Sequence, residues 1–374
     1  MIKRIYADNF RCLVNFEFSP GPFSVLLGPN GSGKSSVFDL LSKLQQFIDG
    51  EGKVNEIFPE RDLCRWQTAA AQTFELEIDG NGGTYKYSLV VEHERERNRA
   101  RVLKEKLLFN GEPLFESVEG KAQLYRDDHS QGPKYSFDWS RSGLAVLESG
   151  PDNKKPAWFR NTVHSLLIVR INPYLMSGES AEEVDRPKIT MEDFASWYRF
   201  LSQEHQGKVF ELTRELRGVI DGFDSFKIRK AGEVHRVLEA LFSSKTASGE
   251  THAYRFDRLS DGQKALMGLY TLLHCSPADG GDDGGVVCID EPENFLALPE
   301  IEPWLRSLHD LCIDVGRQAL IISHHPKLIN YLAGSAGHWF ERDGEGPVRV
   351  RPIVDETGTG LPFSELVARG WIYG

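Results

Sequence analysis

Cysteine is scarce in this chain: five residues, Cys12, Cys64, Cys275, Cys288 and Cys312, lie scattered through 374 positions and none has C-x-x-C spacing. Neither a zinc centre nor a disulfide framework is expected from that pattern, and a reducing compartment fits it best. Long apolar runs are missing as well, since none approaches the ~20 residues of a membrane span. The opening Met1-Ile2-Lys3-Arg4-Ile5-Tyr6 passes directly into folded-looking sequence, so no signal peptide is read there. A cytoplasmic protein without membrane contact is therefore expected. Excess positive charge is also lacking, the formal net charge being −11. A surface basic everywhere is excluded, and any nucleic acid would have to meet a local patch or a dimer groove. Sustained heptads are absent, which excludes a long coiled-coil arm. What is left is an ordinary chain, 40% hydrophobic and 26% charged, ample for a large core with a soft prior of about two domains.

The residues that organise the chain are Gly28-Pro29-Asn30-Gly31-Ser32-Gly33-Lys34-Ser35, a complete G-x-x-x-x-G-K-S phosphate-binding loop. Before it, Phe23-Ser24-Val25-Leu26-Leu27 reads as a buried strand. After it, Val37, Leu40, Leu41, Leu44, Phe47 and Ile48 recur at helical spacing up to Asp49-Gly50. The order strand, glycine loop, helix is the context this motif needs. The glycines let backbone N–H groups converge on phosphate oxygens, and the helix presents its positive end to them. Asn30, Gly31, Ser32, Gly33, Lys34, Ser35 and Ser36 are thus the expected nucleotide-binding residues, with Lys34 on the β- and γ-phosphates and the Ser35 hydroxyl on magnesium.

Elsewhere the pattern changes. Ile2 to Phe18 alternates like strands around Asp8-Asn9-Phe10-Arg11. Strand candidates then follow at Thr73 to Ile78, Tyr85 to Glu92, Arg101 to Phe109 and Ala122 to Tyr125, with hairpin turns at Gly80-Asn81-Gly82-Gly83 and Asn110-Gly111. This section reads as an antiparallel β lobe. Arg95, Arg97, Arg99 and Arg101 would share one strand face and could meet a phosphate backbone, but the interleaved glutamates favour a solvated edge. Gln131 to Lys155 reads as a surface excursion and Val163 to Val169 as a buried strand. Met191 to Ile220 turns helical, and Phe223 to Tyr254 is consistent with a few more strands or a helix between them.

The last third returns to nucleotide chemistry. Leu259-Ser260-Asp261-Gly262-Gln263 opens an apolar helix capped by Ser260. Pro277 to Gly285 reads as a glycine- and aspartate-rich loop. Val286-Val287-Cys288-Ile289-Asp290-Glu291-Pro292-Glu293 is an apolar strand ending in carboxylates, and Ala319-Leu320-Ile321-Ile322 is another, ending in Ser323-His324-His325-Pro326. Both deliver polar groups at strand C-termini, where open α/β sheets bind ligands. Phosphate hydrolysis needs charge neutralisation, a group that orients water, and donors around the transferred phosphoryl. Asp290 is the expected magnesium partner of Ser35, Glu291 the residue that reaches the attacking water, and His324 a donor that senses the γ-phosphate.

Taken in order, these four motifs resemble those of an ABC-type ATPase, in the branch that holds the SMC proteins, RecF and the overcoming-lysogenisation-defect (OLD) ATPases. Asn9-Phe10-Arg11 with Phe16-Glu17-Phe18 looks like the opening of that branch. The resemblance implies an α/β fold: one ABC-ATPase head over residues 1–374, with a P-loop core sheet, helices, an antiparallel β lobe and a helical insertion. Its lobes would be 1–160, 161–258 and 259–374. It also implies two heads with ATP between them, Leu259, Ser260, Asp261, Gly262 and Gln263 of one copy meeting the nucleotide of the other. The family's loop glutamine has two candidate positions here, Asn172 and Gln72. Asn294-Phe295-Leu296-Ala297-Leu298-Pro299 departs from the relatives, which usually show a glycine and then leucine, histidine and proline.

With no arm, no zinc hook and only Gly334 to Gly374 after the histidine motif, effector chemistry is expected on another protein. The resemblance then implies a magnesium- and ATP-dependent dimerising switch, DNA-associated, that regulates a nuclease or toxin in bacterial antiviral defence. The alternative is a RecF-like repair clamp on DNA junctions. A transporter subunit is disfavoured because the middle region lacks the expected helical lobe.

Overall fold

Two short strands, β1 (Ile2–Asp8) and β2 (Phe16–Phe18), pair antiparallel around the Asp8–Arg11 bend. Asn9 and Arg11 take the left-handed conformation there, with φ of 58° and 52°. The buried Asn9 amide makes this tolerable, its Nδ2 donating to the Ala69 and Ala71 carbonyls at 2.9 Å and its Oδ1 accepting from the Cys64 N–H. The computed structural model describes residues 1–94, 99–147, 149–243, 250–275, 285–325, 330, 336–353 and 365. Two compact units emerge: Met1–Leu166 with Gly280–Val286 and Gly316–Gly374, and Leu167–Asp279 with Val287–Val315.

In the first unit the fully buried β3 (Phe23–Leu27) leads into α1 (Lys34–Asp49), which ends at Gly50 in the left-handed conformation with its N–H on the Gln46 and Phe47 carbonyls. A single turn, α2 (Val54–Ile57), follows. Then come β4 (Ala71–Gly80), β5 (Gly83–Glu94), β6 (Arg99–Phe109), β7 (Glu112–Val118), β8 (Lys121–Tyr125) and β9 (Gln131–Ser136). With β1 and β2 they form an antiparallel sheet in the order β2-β1-β4-β5-β6-β7-β8-β9. Helix α3 (Lys154–His164) closes one face, stacking Trp158 on Tyr85 and Phe159 on Tyr85 and Tyr87.

Two expectations are corrected here. Gln131 to Lys155 is not all excursion, because Gln131–Ser136 extends the sheet as an edge strand and Lys154 begins α3. Val163 to Val169 is not one strand. Helix α3 runs to His164, and the buried Gln45 side chain donates to the Val163, His164 and Leu166 carbonyls, satisfying the end of that helix from α1.

In the second unit β10 (Leu167–Val169) is followed by the two-residue β11 (Glu179–Ser180), α4 (Phe194–Glu204) and α5 (Gln206–Val219). Strands β12 (Phe223–Lys230), β13 (Arg236–Ser243) and β14 (Thr251–Arg255) make, with β11, a small antiparallel sheet centred on β13. Phe194 stacks on Phe256 and Tyr198 packs on Phe226, which seats the helical insertion on that sheet. Helix α6 (Asp261–His274), β15 (Val286–Asp290) and α7 (Leu298–Asp314) complete the unit, with β15 parallel to β10. The fully buried Trp304 of α7 donates its indole N–H to the Leu269 carbonyl of α6 at 2.8 Å.

The chain then returns to the first unit as β16 (Gln318–Ile322), β17 (Gly337–Arg342) and β18 (Val348–Pro352). Strands β16 and β17 flank β3 in parallel, and β18 pairs antiparallel with β17. Gln318 ties this core sheet to β1, its amide accepting from the Ile2 N–H at 2.7 Å and donating to the Ile2 and Gly21 carbonyls. The architecture is thus α/β with a P-loop core sheet, an antiparallel β lobe and a helical insertion, as expected. All five cysteines are buried, and none forms a disulfide. Among the described residues no helix is long and apolar enough to cross a membrane. Arg95, Arg97, Pro326, residues 277–284 and Trp371-Ile372-Tyr373 lie outside the described residues. Arg101 pairs across the strands with Glu92 at 2.6 Å, and because β5 and β6 are flanked by β4 and β7 this pair is not on a sheet edge, contrary to the expected solvated edge.

Candidate functional site

The loop between β3 and α1 is shaped by what surrounds it. A Cβ on Gly28, whose φ is 145°, would stand 2.1 Å from the Phe340 carbonyl oxygen of β17. A Cβ on Gly33, with φ of 96°, would stand 2.6 Å from Val348 of β18 and 3.0 Å from Cys12. Only glycine lets the loop run this close to its neighbours. The first turn of α1 carries no acidic residue, so its positive end is uncancelled. Asn30 and Gly31 are exposed, Ser35 and Ser36 half-buried, and Ser32 buried. Lys34 folds back over the loop: Nζ donates to the Gly28 and Pro29 carbonyls at 2.8 and 2.9 Å and lies 3.4 Å from Ser32 Oγ.

His324 belongs to the same unit. Strand β16 runs parallel to β3 with Ile322 opposite Leu26, so Ser323 and His324 emerge beside Leu27 and Gly28. His324 is exposed there, while Ser323 is buried and its Oγ accepts from the His325 N–H at 3.2 Å. The phosphate loop and the histidine therefore occupy C-terminal ends of neighbouring parallel strands.

The remaining candidates gather in the second unit. Parallel register sets Val169 opposite Ile289, which brings Arg170 level with Asp290. Arg170 Nε donates to Asp290 Oδ2 at 2.8 Å, and Nη2 donates to the same oxygen. The Asp290 side chain is only 6% exposed, whereas that of Arg170 is 53% exposed. Asp290 thus lies where the motif puts it, at the end of a buried strand, but its carboxylate engages an arginine that the sequence reading missed. The available signal was an arginine ending one apolar strand and an aspartate ending another.

Glu291 follows with φ of 53°, a left-handed backbone uncommon for a non-glycine residue, and its Oε2 accepts from Asn294 Nδ2 at 2.8 Å. Phe295 has φ of 72° and packs its ring edge-to-face on Tyr174 at 5.5 Å. Its carbonyl oxygen would lie 3.3 Å from a Cβ on Gly262. The turn after Glu291 therefore abuts the start of α6. There Ser260 and Gln263 form a capping box: Ser260 Oγ accepts from the Gln263 N–H and Gln263 Oε1 from the Ser260 N–H. Leu259 is buried, Ser260 exposed, and Asp261 lies 3.5 Å from Lys264, whose Nζ donates to the Pro173 carbonyl. Asn172 forms a local turn, accepting from the Tyr174 N–H at 3.2 Å. Gln72 is fully buried, donating to the Asn9 and Asp62 carbonyls and facing His93, so its amide is committed to the fold.

Among the described residues there is no group of three His, Cys, Asp or Glu side chains able to hold a metal. The Ser35 hydroxyl and the Asp290 carboxylate are each oxygen donors of the kind magnesium takes, an ion that usually keeps water and phosphate oxygens in its shell.

The chain is 43% identical over 37 residues to the OLD nuclease of Thermus scotoductus, a stretch covering 10% of this chain and 7% of that protein. It is 38% identical over 56 residues to a protein of Clostridium acetobutylicum named "Putative ABC transporter ATP-binding protein", covering 14% of this chain and 20% of the other. The chain thus spans only small parts of the curated relatives it matches. Among solved structures it is similar to the SMC head domain from Thermotoga maritima, at 16% identity and a TM-score of 0.47, over 94% of this chain and 98% of that one. Residues 23–330 match the family described as "AAA domain, putative AbiEii toxin, Type IV TA system", and the chain, with its phosphate loop at Gly28–Ser35, belongs to that family of ATPase-type domains.

Proposed function

We propose that this protein binds and hydrolyses ATP and uses the nucleotide as a switch for self-association. The observation that carries the reading is the Lys34 ammonium held over the loop by the Gly28 and Pro29 carbonyls, with the uncancelled N-terminus of α1 beneath it. Polyphosphate supplies better partners for that ammonium and for the loop N–H groups. Lys34 then takes the β- and γ-phosphates, and Asn30, Gly31, Ser32, Gly33 and Ser36 line the phosphate chain. Ser35 and Asp290 are the donors that would hold magnesium, which when bound neutralises phosphate charge. Glu291 orients the attacking water, and the left-handed backbone that carries it is the kind of strain found at working sites. His324 donates to the γ-phosphate and loses that partner on hydrolysis.

Two copies then close on ATP. Leu259 packs the segment, while the exposed Ser260 cap and Gly262, with Asp261 and Gln263 in the first turn of α6, face the nucleotide of the other copy. Hydrolysis releases them, a two-state response to one phosphate. The family description names a toxin system, which supports a partner effector, a toxin or nuclease, in bacterial defence. Association with DNA belongs to the same proposal, through a local patch, because the net charge of −11 offers no general attraction. The test is equilibrium binding of a fluorescent ATP analogue together with phosphate release from MgATP. Binding and release by the wild type, with binding severely weakened and release lost in Lys34→Ala, are expected; their absence in the wild type would overturn the reading.

A further inference from the structure

We propose that Arg170 is a positioning residue that stands in for the metal: it neutralises Asp290 in the nucleotide-free protein and exchanges with the cation when nucleotide and metal bind. The inference deepens the proposed function and rests on it. A carboxylate at 6% side-chain exposure needs a countercharge, because burying an unpaired anion is costly. Two guanidinium nitrogens of Arg170 converge on one oxygen, Oδ2, which is how an arginine fork supplies that charge. A metal ion asks for the same oxygen lone pairs.

The surroundings are built for exchange by the side chain alone. The backbone around Arg170 is pinned: its own N–H donates to the Ile189 carbonyl at 2.7 Å, the Leu175 N–H donates to the Asn172 carbonyl at 2.9 Å, and Lys264 Nζ holds the Pro173 carbonyl at 2.7 Å. The Arg170 side chain, at 53% exposure, reaches Asp290 from the solvent side. In the proposed exchange it swings outward and leaves the carboxylate in place at the end of β15. The consequence is a built-in competition that keeps Asp290 neutralised yet raises the threshold for metal binding.

The experiment measures the affinity of the intact protein for a non-hydrolysable ATP analogue in the presence of Mn2+ and in EDTA, and takes the ratio as the metal enhancement. For Arg170→Ala the enhancement should rise about tenfold over wild type, within the usual range of coupling between two ligands. Affinity in EDTA should stay unchanged. Arg170→Lys, which keeps the charge but loses the fork, should fall between the two, and serves if the alanine variant does not fold. Asp290→Asn should abolish the enhancement, and adding Arg170→Ala to it should change nothing further. An enhancement that Arg170→Ala and Arg170→Lys leave at the wild-type value, or reduce, overturns the exchange and marks the pair as purely structural. Wild-type protein that binds no nucleotide in either condition would instead overturn the underlying functional reading, so the two failures are distinguishable.

Discussion

Lys34 Nζ donates to the Gly28 carbonyl oxygen at 2.8 Å, so the loop solvates its own cation from the side that faces the phosphates in the proposed complex. Lys34 as a whole is only 4% exposed, and Nζ also donates to the Pro29 carbonyl at 2.9 Å. Lys34→Ala should therefore fold normally while weakening ATP binding by about 100-fold, the scale of losing charge-assisted hydrogen bonds to phosphate. Equilibrium fluorescence titration with MgATP checks this, and an unchanged affinity would contradict the assignment.

Ser260 serves two ends that substitutions can separate. Its hydroxyl caps α6 in a box with Gln263, and its exposure makes it available to a second copy. Ser260→Ala should cost about 1 kcal/mol in a urea melt and also impair ATP-driven association. Ser260→Asp should keep the cap, since aspartate caps as well as serine, yet place a negative charge where a phosphate is to arrive. A normally stable Ser260→Asp protein that binds ATP but does not associate is the expected result. If it associates like wild type, the signature segment does not meet nucleotide in trans.

Glu105 gives the β lobe a pH signature. It is fully buried, accepting from Tyr87 Oη at 2.9 Å, Ser142 Oγ at 2.6 Å and the Gly143 N–H at 2.7 Å. Burial pushes its carboxyl above the ordinary 4.5, although those three donors pull the other way. A raised folded pKa means that the native state holds the proton more tightly than the unfolded chain. The contribution is fully present below the unfolded pKa and is lost as pH rises through the folded value. Glu105→Gln cannot titrate and should cost about 1 kcal/mol at about pH 4. The difference from wild type should narrow towards about pH 7. Denaturant melts across that range check it; a difference that widens with pH would contradict the burial argument.

Much of the site was legible because motif and periodicity agreed. The apolar β3, the glycine loop and the helical spacing after Lys34 all mark one unit, and Ser260 with Gln263 announces a capped helix by itself. The helix α7 escaped notice although Ile301, Trp304, Leu305, Leu308 and Cys312 are its buried face, because Pro299 and Pro303 interrupt the pattern. The edge strand β9 was hidden by Gly132 and Pro133 and by its mostly exposed residues. An apolar run could not tell the end of α3 from β10 at Val163 to Val169. Arg170 was illegible for another reason: its partner is 120 residues away, and only strand register makes them neighbours. Phe295 shows a further limit, since only backbone geometry reveals that it holds a conformation suited to glycine.

The central claim is that bound, unhydrolysed ATP drives association and that hydrolysis ends it. Glu291 is the hinge of that claim, because removing its charge while keeping its shape should leave nucleotide bound and unhydrolysed. The most direct measurement is the light-scattering mass of Glu291→Gln with and without MgATP. The account predicts a doubling of mass on adding MgATP, with phosphate release abolished and a return to the single-chain mass when the nucleotide is stripped. A variant that binds MgATP yet keeps one unchanged mass would contradict it.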